Sequence, residues 1–229
     1  MKVGTDGTLL GAWARGGRAV LDIGTGTGLI ALMMAQRYPE ARIVGIDIDA
    51  RAVGQACENV AGSPFRNIDI LEADATTFSP VQPLRFAKNP PPSTLHLPPS
   101  VFDSIVSNPP YFVDSLESPD VQRTLARHAA SLSYRDLMAA VKRLLADDGE
   151  FSVVIPFDSK PLLESEAALA GLFKVRECAV KTTPRKQPRR YLLAFRKHHA
   201  ELEQTEGVIE TAPNERSAWY QELTKDFYL

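Results

Sequence analysis

The chain has 229 residues, 44% hydrophobic and 24% charged, with a formal net charge of -2. This is the profile of a soluble globular protein with room for one large α/β domain over residues 1–229, too short for two ordinary domains and a linker. No apolar run approaches the roughly 20 residues of a bilayer-spanning helix, and Met1-Lys2-Val3-Gly4-Thr5-Asp6-Gly7 lacks the apolar stretch of a signal peptide, so no membrane association and a cytoplasmic location are expected. Cys57 and Cys178 are isolated, so neither a disulfide framework nor a zinc site is expected and both read as buried thiols; the near-neutral charge argues against a nucleic-acid partner unless a local basic face supplies the phosphate contacts.

From Arg18 onward a short apolar run, a turn and a helical pattern recur, the grammar of βα units around a mostly parallel sheet. The spacing predicts a strand over Ala19–Ile23, a helix over Leu29–Arg37 and a second strand over Arg42–Ile46 ending in Asp47. Asp49 is placed to cap a helix from about Ala50 to Val60. A third strand is predicted over Ile68–Leu71, ending near Asp74, and a fourth over Phe102–Val106, which delivers Asn108. Next come a helix over Tyr134–Leu145 stopped by Gly149, a strand over Phe151–Ile155 and a helix beginning near Ser159-Lys160-Pro161. Two late strands, around Val175–Val180 and Tyr191–Phe195, suggest an antiparallel hairpin at one sheet edge. Between Ser79 and Ser100 lie seven prolines and no regular period, which reads as an exposed inserted loop, a tolerated insertion in preference to a lid or an RNA-contacting element.

Asp22-Ile23-Gly24-Thr25-Gly26-Thr27-Gly28 follows a strand and opens a helix, so its glycines allow close backbone approach to a ligand. A dinucleotide fingerprint would place its third glycine at residue 29, which is Leu29, and an acid stands two residues before Gly24. Those departures disfavour NAD and suit a nucleoside with a zwitterionic amino-acid tail and no phosphate, S-adenosylmethionine. Gly24, Gly26 and Gly28 would hold the methionine moiety, with Asp22 positioning its ammonium directly or through water. Asp47 offers two acceptor oxygens on a short stem for the ribose hydroxyls, and Asp74 an acceptor for the adenine amino group.

The most specific stretch is Asn108-Pro109-Pro110-Tyr111, a rigid, donor-poor backbone and an aromatic ring directly after the fourth strand. A planar exocyclic amine is a poor nucleophile because its lone pair is delocalised. Two fixed acceptors, the Asn108 side-chain oxygen and the Pro109 carbonyl, would draw both N–H bonds, favour a pyramidal nitrogen and aim its lone pair at a methyl donor, while Tyr111 stacks on the base. In-line transfer of this kind calls for no metal and no strong general base.

Two basic groups offer phosphate contacts: Arg123, Arg127 and His128 after that stretch, and Lys181, Arg185, Lys186, Arg189 and Arg190 between the late strands. A solvated basic edge is the competing reading for each. His198 and His199 resemble no ligand set, and Trp219-Tyr220 and Phe227-Tyr228 read as core packing on a C-terminal helical pattern.

With these motifs in place, Met1-Lys2-Val3-Gly4-Thr5-Asp6-Gly7-Thr8-Leu9-Leu10-Gly11-Ala12-Trp13 resembles the opening of the bacterial tRNA1(Val) adenine-37 N6-methyltransferase family. Arg127-His128, Leu192-Leu193-Ala194-Phe195 and the ending Tyr220 to Leu229 are also similar to that family, so the likeness covers nearly the whole chain. It implies a Rossmann-like class I S-adenosylmethionine-dependent methyltransferase fold, a seven-stranded mostly parallel sheet with an antiparallel edge hairpin, acting on N6 of adenine in tRNA. By resemblance alone, Lys2, Thr5 and Asp6 are cofactor-side or structural residues. The opening is the discriminating part, because Asn-Pro-Pro-Tyr is shared with methyltransferases of DNA adenine, rRNA guanine N2 and release-factor glutamine; a non-catalytic nucleoside- or RNA-binding module is the alternative from another class. The family usually has a further segment before Lys2 and a shorter connection where Ser79–Ser100 lies, which raises the expectation of a truncated N-terminus.

Overall fold

A computed structural model describes residues 4–80, 101–110 and 132–227. In chain order it contains α1 (Thr5–Trp13), β1 (Ala19–Ile23), α2 (Leu29–Arg37), β2 (Arg42–Asp47), α3 (Ala50–Ala61), β3 (Ile68–Glu72) and β4 (Phe102–Ser107). Then follow α4 (Tyr134–Leu144), β5 (Leu145–Pro156), α5 (Lys160–Leu169), β6 (Phe173–Lys181), β7 (Pro188–Arg196), β8 (Glu203–Val208), the short β9 (Glu210–Ala212) and β10 (Glu215–Arg216), and α6 (Ala218–Thr224). The proline-rich stretch falls outside the described residues from 81 to 100. No helix among the described residues is long and apolar enough to cross a membrane.

All seven strands expected from the apolar runs form. They lie in one sheet of order β3-β2-β1-β4-β5-β7-β6-β8. Strands β1 to β5 run parallel, and β7 is antiparallel to both β5 and β6. The reversal of strand order between β1 and β4 leaves a crevice at their carboxyl ends, where an open α/β sheet binds its ligand. Two expectations change here. The sheet has eight strands, because Glu203–Val208 pairs parallel with β6, and the β6–β7 hairpin therefore lies inside the edge. Glu-Gln-Thr-Glu-Gly-Val is polar and mostly exposed, so no apolar alternation announces it.

Central strands β1 and β4 are buried on both sides, which explains their almost unbroken apolar runs. Leu21, Ile23, Ile105 and Phe151 face a layer built from α4 and α5, with Leu137, Val141 and Leu163. Val20, Val106, Val154 and Leu192 face α1, α2 and α6, with Leu9, Leu10, Met34 and Tyr220. Helix α4 starts on a reciprocal cap: Ser133 Oγ accepts the Asp136 amide at 3.1 Å and donates to the Asp136 carboxylate at 2.7 Å. Tyr220 is core, as expected, whereas Cys57 is an exposed thiol on α3 and only Cys178 is buried. With just Ala56 buried on α3, Cys57 has no core to enter.

Helix α1 was not anticipated. Gly7, Thr8, Leu9, Leu10, Gly11 and Ala12 are all buried, so the helix has no polar face and no amphipathic period. Its glycines serve close packing: a Cβ at Gly11 would lie 2.7 Å from the Met33 sulfur, and one at Gly7 3.1 Å from Leu29. Thus α1 rests directly on the first turns of α2.

In the middle of β5, Glu150 is 4% exposed and gathers three cations. Its carboxylate takes Arg176 Nη1 of β6 at 2.8 Å, Arg196 Nη2 of β7 at 2.8 Å and Arg15 Nη1 at 3.5 Å. The Arg176 guanidinium in turn lies 3.9 Å from the centre of the Trp13 ring. Removing the anion leaves the buried Arg176 only the exposed Glu203 carboxylate at 3.6 Å, which costs far more than breaking a surface pair. Glu150→Ala is expected to lose about 3–5 kcal/mol of stability in urea unfolding, whereas Glu222→Ala, which breaks the exposed pair with Lys225, should leave the unfolding curve nearly unchanged.

Candidate active site

The glycine loop sits at the carboxyl end of β1, and its three glycines have φ of +70°, +57° and +80° at Gly24, Gly26 and Gly28. An L side chain would be strained at each. A Cβ on Gly24 would meet no atom within 4 Å, so this is the open side of the loop, while Gly28 is closed by Ala56 of α3 at 3.3 Å. The loop is fastened from several directions. The Gly24 and Thr25 amides donate to the Ile46 carbonyl at 2.9 and 3.0 Å, and Asn59 Nδ2 donates to the Thr27 carbonyl at 2.8 Å.

Asp22 lies beneath this loop, completely buried. Its Oδ2 accepts the Thr25 hydroxyl at 2.7 Å and the Ala31 amide at 3.2 Å, joining the loop to the first turn of α2. Gly45 on β2 makes that arrangement possible, since a Cβ there would meet Thr25 Oγ1 at 2.8 Å and Ile70 at 2.7 Å. Asp22 Oδ1 is buried without a hydrogen-bond partner. Burial pushes the carboxyl up to about 7, against the lowering pull of Thr25 and Ala31 and with a further rise from Asp47. An unpartnered buried oxygen calls for a donor, and a ligand ammonium, directly or through one water, supplies a donor whose charge also offsets that desolvation.

Asp47 closes β2. Its Oδ2 accepts the Gly26 amide at 2.9 Å and its Oδ1 the Asp49 amide at 3.0 Å, so the carboxylate is fixed at the loop's mouth. Each oxygen retains a second lone pair, which fits the expected ribose contacts. Next to it Ile48 is 59% exposed, a large apolar side chain at the crevice. Asp74 follows β3, and its Oδ1 accepts both the amide and the hydroxyl of Thr76, at 2.8 and 2.7 Å. That turn is clamped by Arg143 of α4, which donates to the carbonyls of Phe78 and Ala75 at 2.5 and 2.9 Å.

Asn108, half-buried, and Pro109, buried, leave β4 beside the loop, and Pro110 is exposed. Ser107 just before them donates from Oγ to the Ile23 carbonyl at 2.9 Å, pinning the end of β4 to the end of β1. Tyr111, Lys2, Arg123, Arg127 and His128 lie outside the described residues. Thr5 and Asp6 open α1, and Asp6 forms an ion pair with Arg190 of β7. Arg190 therefore turns inward to α1 and is not part of a solvent-facing phosphate surface, whereas Arg185, Lys186 and Arg189 are exposed on and beside the β6–β7 turn. His198 and His199 are exposed, with His199 edge-on to Phe173 at 6.0 Å. Among the described residues no group of three His, Cys, Asp or Glu side chains is disposed to hold a metal ion.

Sequence reasoning missed Thr25, Gly45, Ile48, Ser107 and Arg143. Only Gly45 left a signal, a glycine inside an apolar strand marking close approach. Ser107 and Arg143 act through contacts across the fold that no local pattern encodes.

The raised Asp22 carboxyl has a measurable consequence for stability. Between its ordinary 3.8 and about 7 the folded state retains a proton that the unfolded chain has released, so stability falls as pH rises through this window and levels off above it. Asp22→Asn is expected to lose that slope and, at pH 8, to exceed the wild type by on the order of a few kcal/mol in urea unfolding without ligand. A slope that survives the substitution would belong to another group.

Residues 20–90, from β1 into the segment after β3, match the family described as methyltransferase domain. A protein of Bacteroides thetaiotaomicron named tRNA1(Val) (adenine(37)-N6)-methyltransferase is 44% identical over 233 residues, covering 100% of this chain and 91% of that protein. One of the same name from Phocaeicola vulgatus is 44% identical over 232 residues with the same coverage. The crystal structure of a predicted O-methyltransferase from Agrobacterium tumefaciens superposes with a TM-score of 0.70 over 96% of both chains at 16% identity, a likeness of fold alone. With such identity to its named relatives across its full length, on a methyltransferase fold, the chain belongs to the tRNA1(Val) (adenine(37)-N6)-methyltransferase family.

Proposed function

We propose that this protein transfers a methyl group from S-adenosylmethionine to N6 of adenine 37 in tRNA1(Val). The observation that carries the reading is the joining of Asn108-Pro109-Pro110 to the glycine loop through the Ser107 hydrogen bond to Ile23, in a chain of this family. The donor supplies an electrophilic methyl on a sulfonium. Gly24, Gly26 and Gly28 leave room for its amino-acid tail, the unpartnered Asp22 Oδ1 takes up its ammonium, Asp47 accepts the ribose hydroxyls and Ile48 packs on the purine face. Asp74, in the turn held by Arg143, lies on the adenine side.

On the acceptor side, the Asn108 side-chain oxygen and the Pro109 carbonyl draw the two N6 protons and hold the nitrogen lone pair toward the methyl group. A proton leaves only after the nitrogen has gained the methyl, when it has become acidic. Tyr111 stacks on the everted base. Arg185, Lys186 and Arg189, with Arg123, Arg127 and His128, meet the tRNA phosphates, which neutralises backbone charge without demanding a basic protein overall. Lys2 and Thr5 contribute from the cofactor side, and Asp6 does so by holding α1 to β7 through Arg190.

Two measurements test this. With labelled cofactor and tRNA lacking the modification, the wild type is expected to yield N6-methyladenosine at position 37, and Asn108→Ala to lose about a hundredfold or more in turnover with cofactor affinity unchanged. Equal turnover in the variant sinks the mechanism; methylguanosine or labelled protein as product sinks the substrate. For the cofactor, the ammonium pairs with ionised Asp22, so affinity for S-adenosylhomocysteine by calorimetry should rise by up to about tenfold from pH 6 to pH 8, with a flat profile in Asp22→Asn.

A further inference from the structure

Phe157 opens a 3-10 turn, Phe157–Ser159, that follows β5. Strands β4 and β5 are parallel with Ser107 opposite Val153, and β5 continues to Pro156. The residue after it thus stands roughly 13 Å beyond the level of Ser107 along the strand, at the same end of the sheet as Asn108–Pro110 and one strand over. Its ring is 44% exposed, although a side chain of this size ordinarily gains by burial. It is nevertheless held in one place. The ring stacks on Tyr191 of β7, with centroids 6.0 Å apart and planes at 28°. The Lys160 ammonium lies 5.0 Å from the centre of the Tyr191 ring, fixed there by Glu164 at 3.1 Å and Glu177 at 3.4 Å.

An enzyme that works on a nucleobase takes it out of its stack, and the neighbouring base then loses a stacking partner. An aromatic face backed by a second ring, at the end of the sheet where the acceptor stretch leaves β4, offers a replacement partner. The exposed cations Arg185, Lys186 and Arg189 adjoin the start of β7, at the same end of the sheet, where they would follow the phosphates of the same strand.

We propose that Phe157, backed by Tyr191 and Lys160, is a stacking platform for a nucleotide adjacent to the acceptor adenine in the single-stranded anticodon loop. The proposal rests on the tRNA reading above. It adds a substrate-positioning residue remote from the Asn108-Pro109-Pro110-Tyr111 stretch, and it makes recognition of the flanking nucleotide a matter of π surface instead of base identity.

The experiment measures steady-state methylation of an anticodon stem-loop RNA, together with fluorescence of the same RNA carrying 2-aminopurine beside the target. Phe157→Leu keeps apolar volume and removes the ring. It is expected to raise KM for RNA about tenfold or more with kcat at saturation and cofactor affinity nearly unchanged, and Phe157→Trp to restore the wild-type KM. The 2-aminopurine signal should be quenched on binding to the wild type and to Phe157→Trp but not to Phe157→Leu. An unchanged KM and unchanged quenching in Phe157→Leu, or a loss that extends to cofactor binding and that tryptophan fails to rescue, overturns the platform. A wild type that methylates no adenine overturns the functional reading itself.

Discussion

Asp22 puts a carboxylate in the interior, under the glycine loop and against the first turn of α2, and one of its oxygens holds both in place. Much of the site's architecture answers to that choice. Thr25 must turn its hydroxyl inward, which requires Gly45 to leave space on β2, which in turn lets the Ile46 carbonyl receive the loop amides. The loop then presents the Gly26 amide to Asp47, so the expected ribose acceptor is aimed by the same arrangement that fixes the glycine loop. An ionised group in such a place is expensive, and its second oxygen has no partner. The interior meets that cost by holding the carboxyl's proton up to about pH 7.

How much of this was legible in the sequence varies with the range of the interaction that decides it. Strands β1 and β4 could be read within a residue of their ends because burial on both sides leaves a nearly continuous apolar run. Helix α3 could be read from Asp49, whose side chain accepts the Arg51 amide as expected of a cap. Helix α1 could not, because a helix buried all round carries no alternation and its glycines argue locally against helix formation. Strand β8 could not, because it adds to the sheet through backbone pairing while its side chains stay in water.

The candidate site divides in the same way. The glycine loop, Asp47 and Asn108-Pro109-Pro110 are carried by contiguous residues at strand ends, where pattern and chemistry coincide. What aims them is dispersed: Ser107 onto Ile23, Arg143 onto Ala75 and Phe78, Asn59 onto Thr27. Arg190 shows the opposite failure. A run of basic residues reads as one surface, yet alternation along β7 turns this member inward to Asp6 while Arg189 points to solvent. Charge in a sequence marks a surface only once the strand register is known.

Among the described residues β8 ends the sheet with one backbone edge unpaired, and an open edge is a template on which another chain can add. Here that edge is written in Glu203, Gln204, Thr205 and Glu206, all exposed, with Glu201 just before it. Two copies brought edge to edge would set rows of carboxylates against each other. The feature that hid this strand from sequence analysis therefore also makes its edge a poor template: the same carboxylates that break the apolar alternation set charge against a second strand of this sequence.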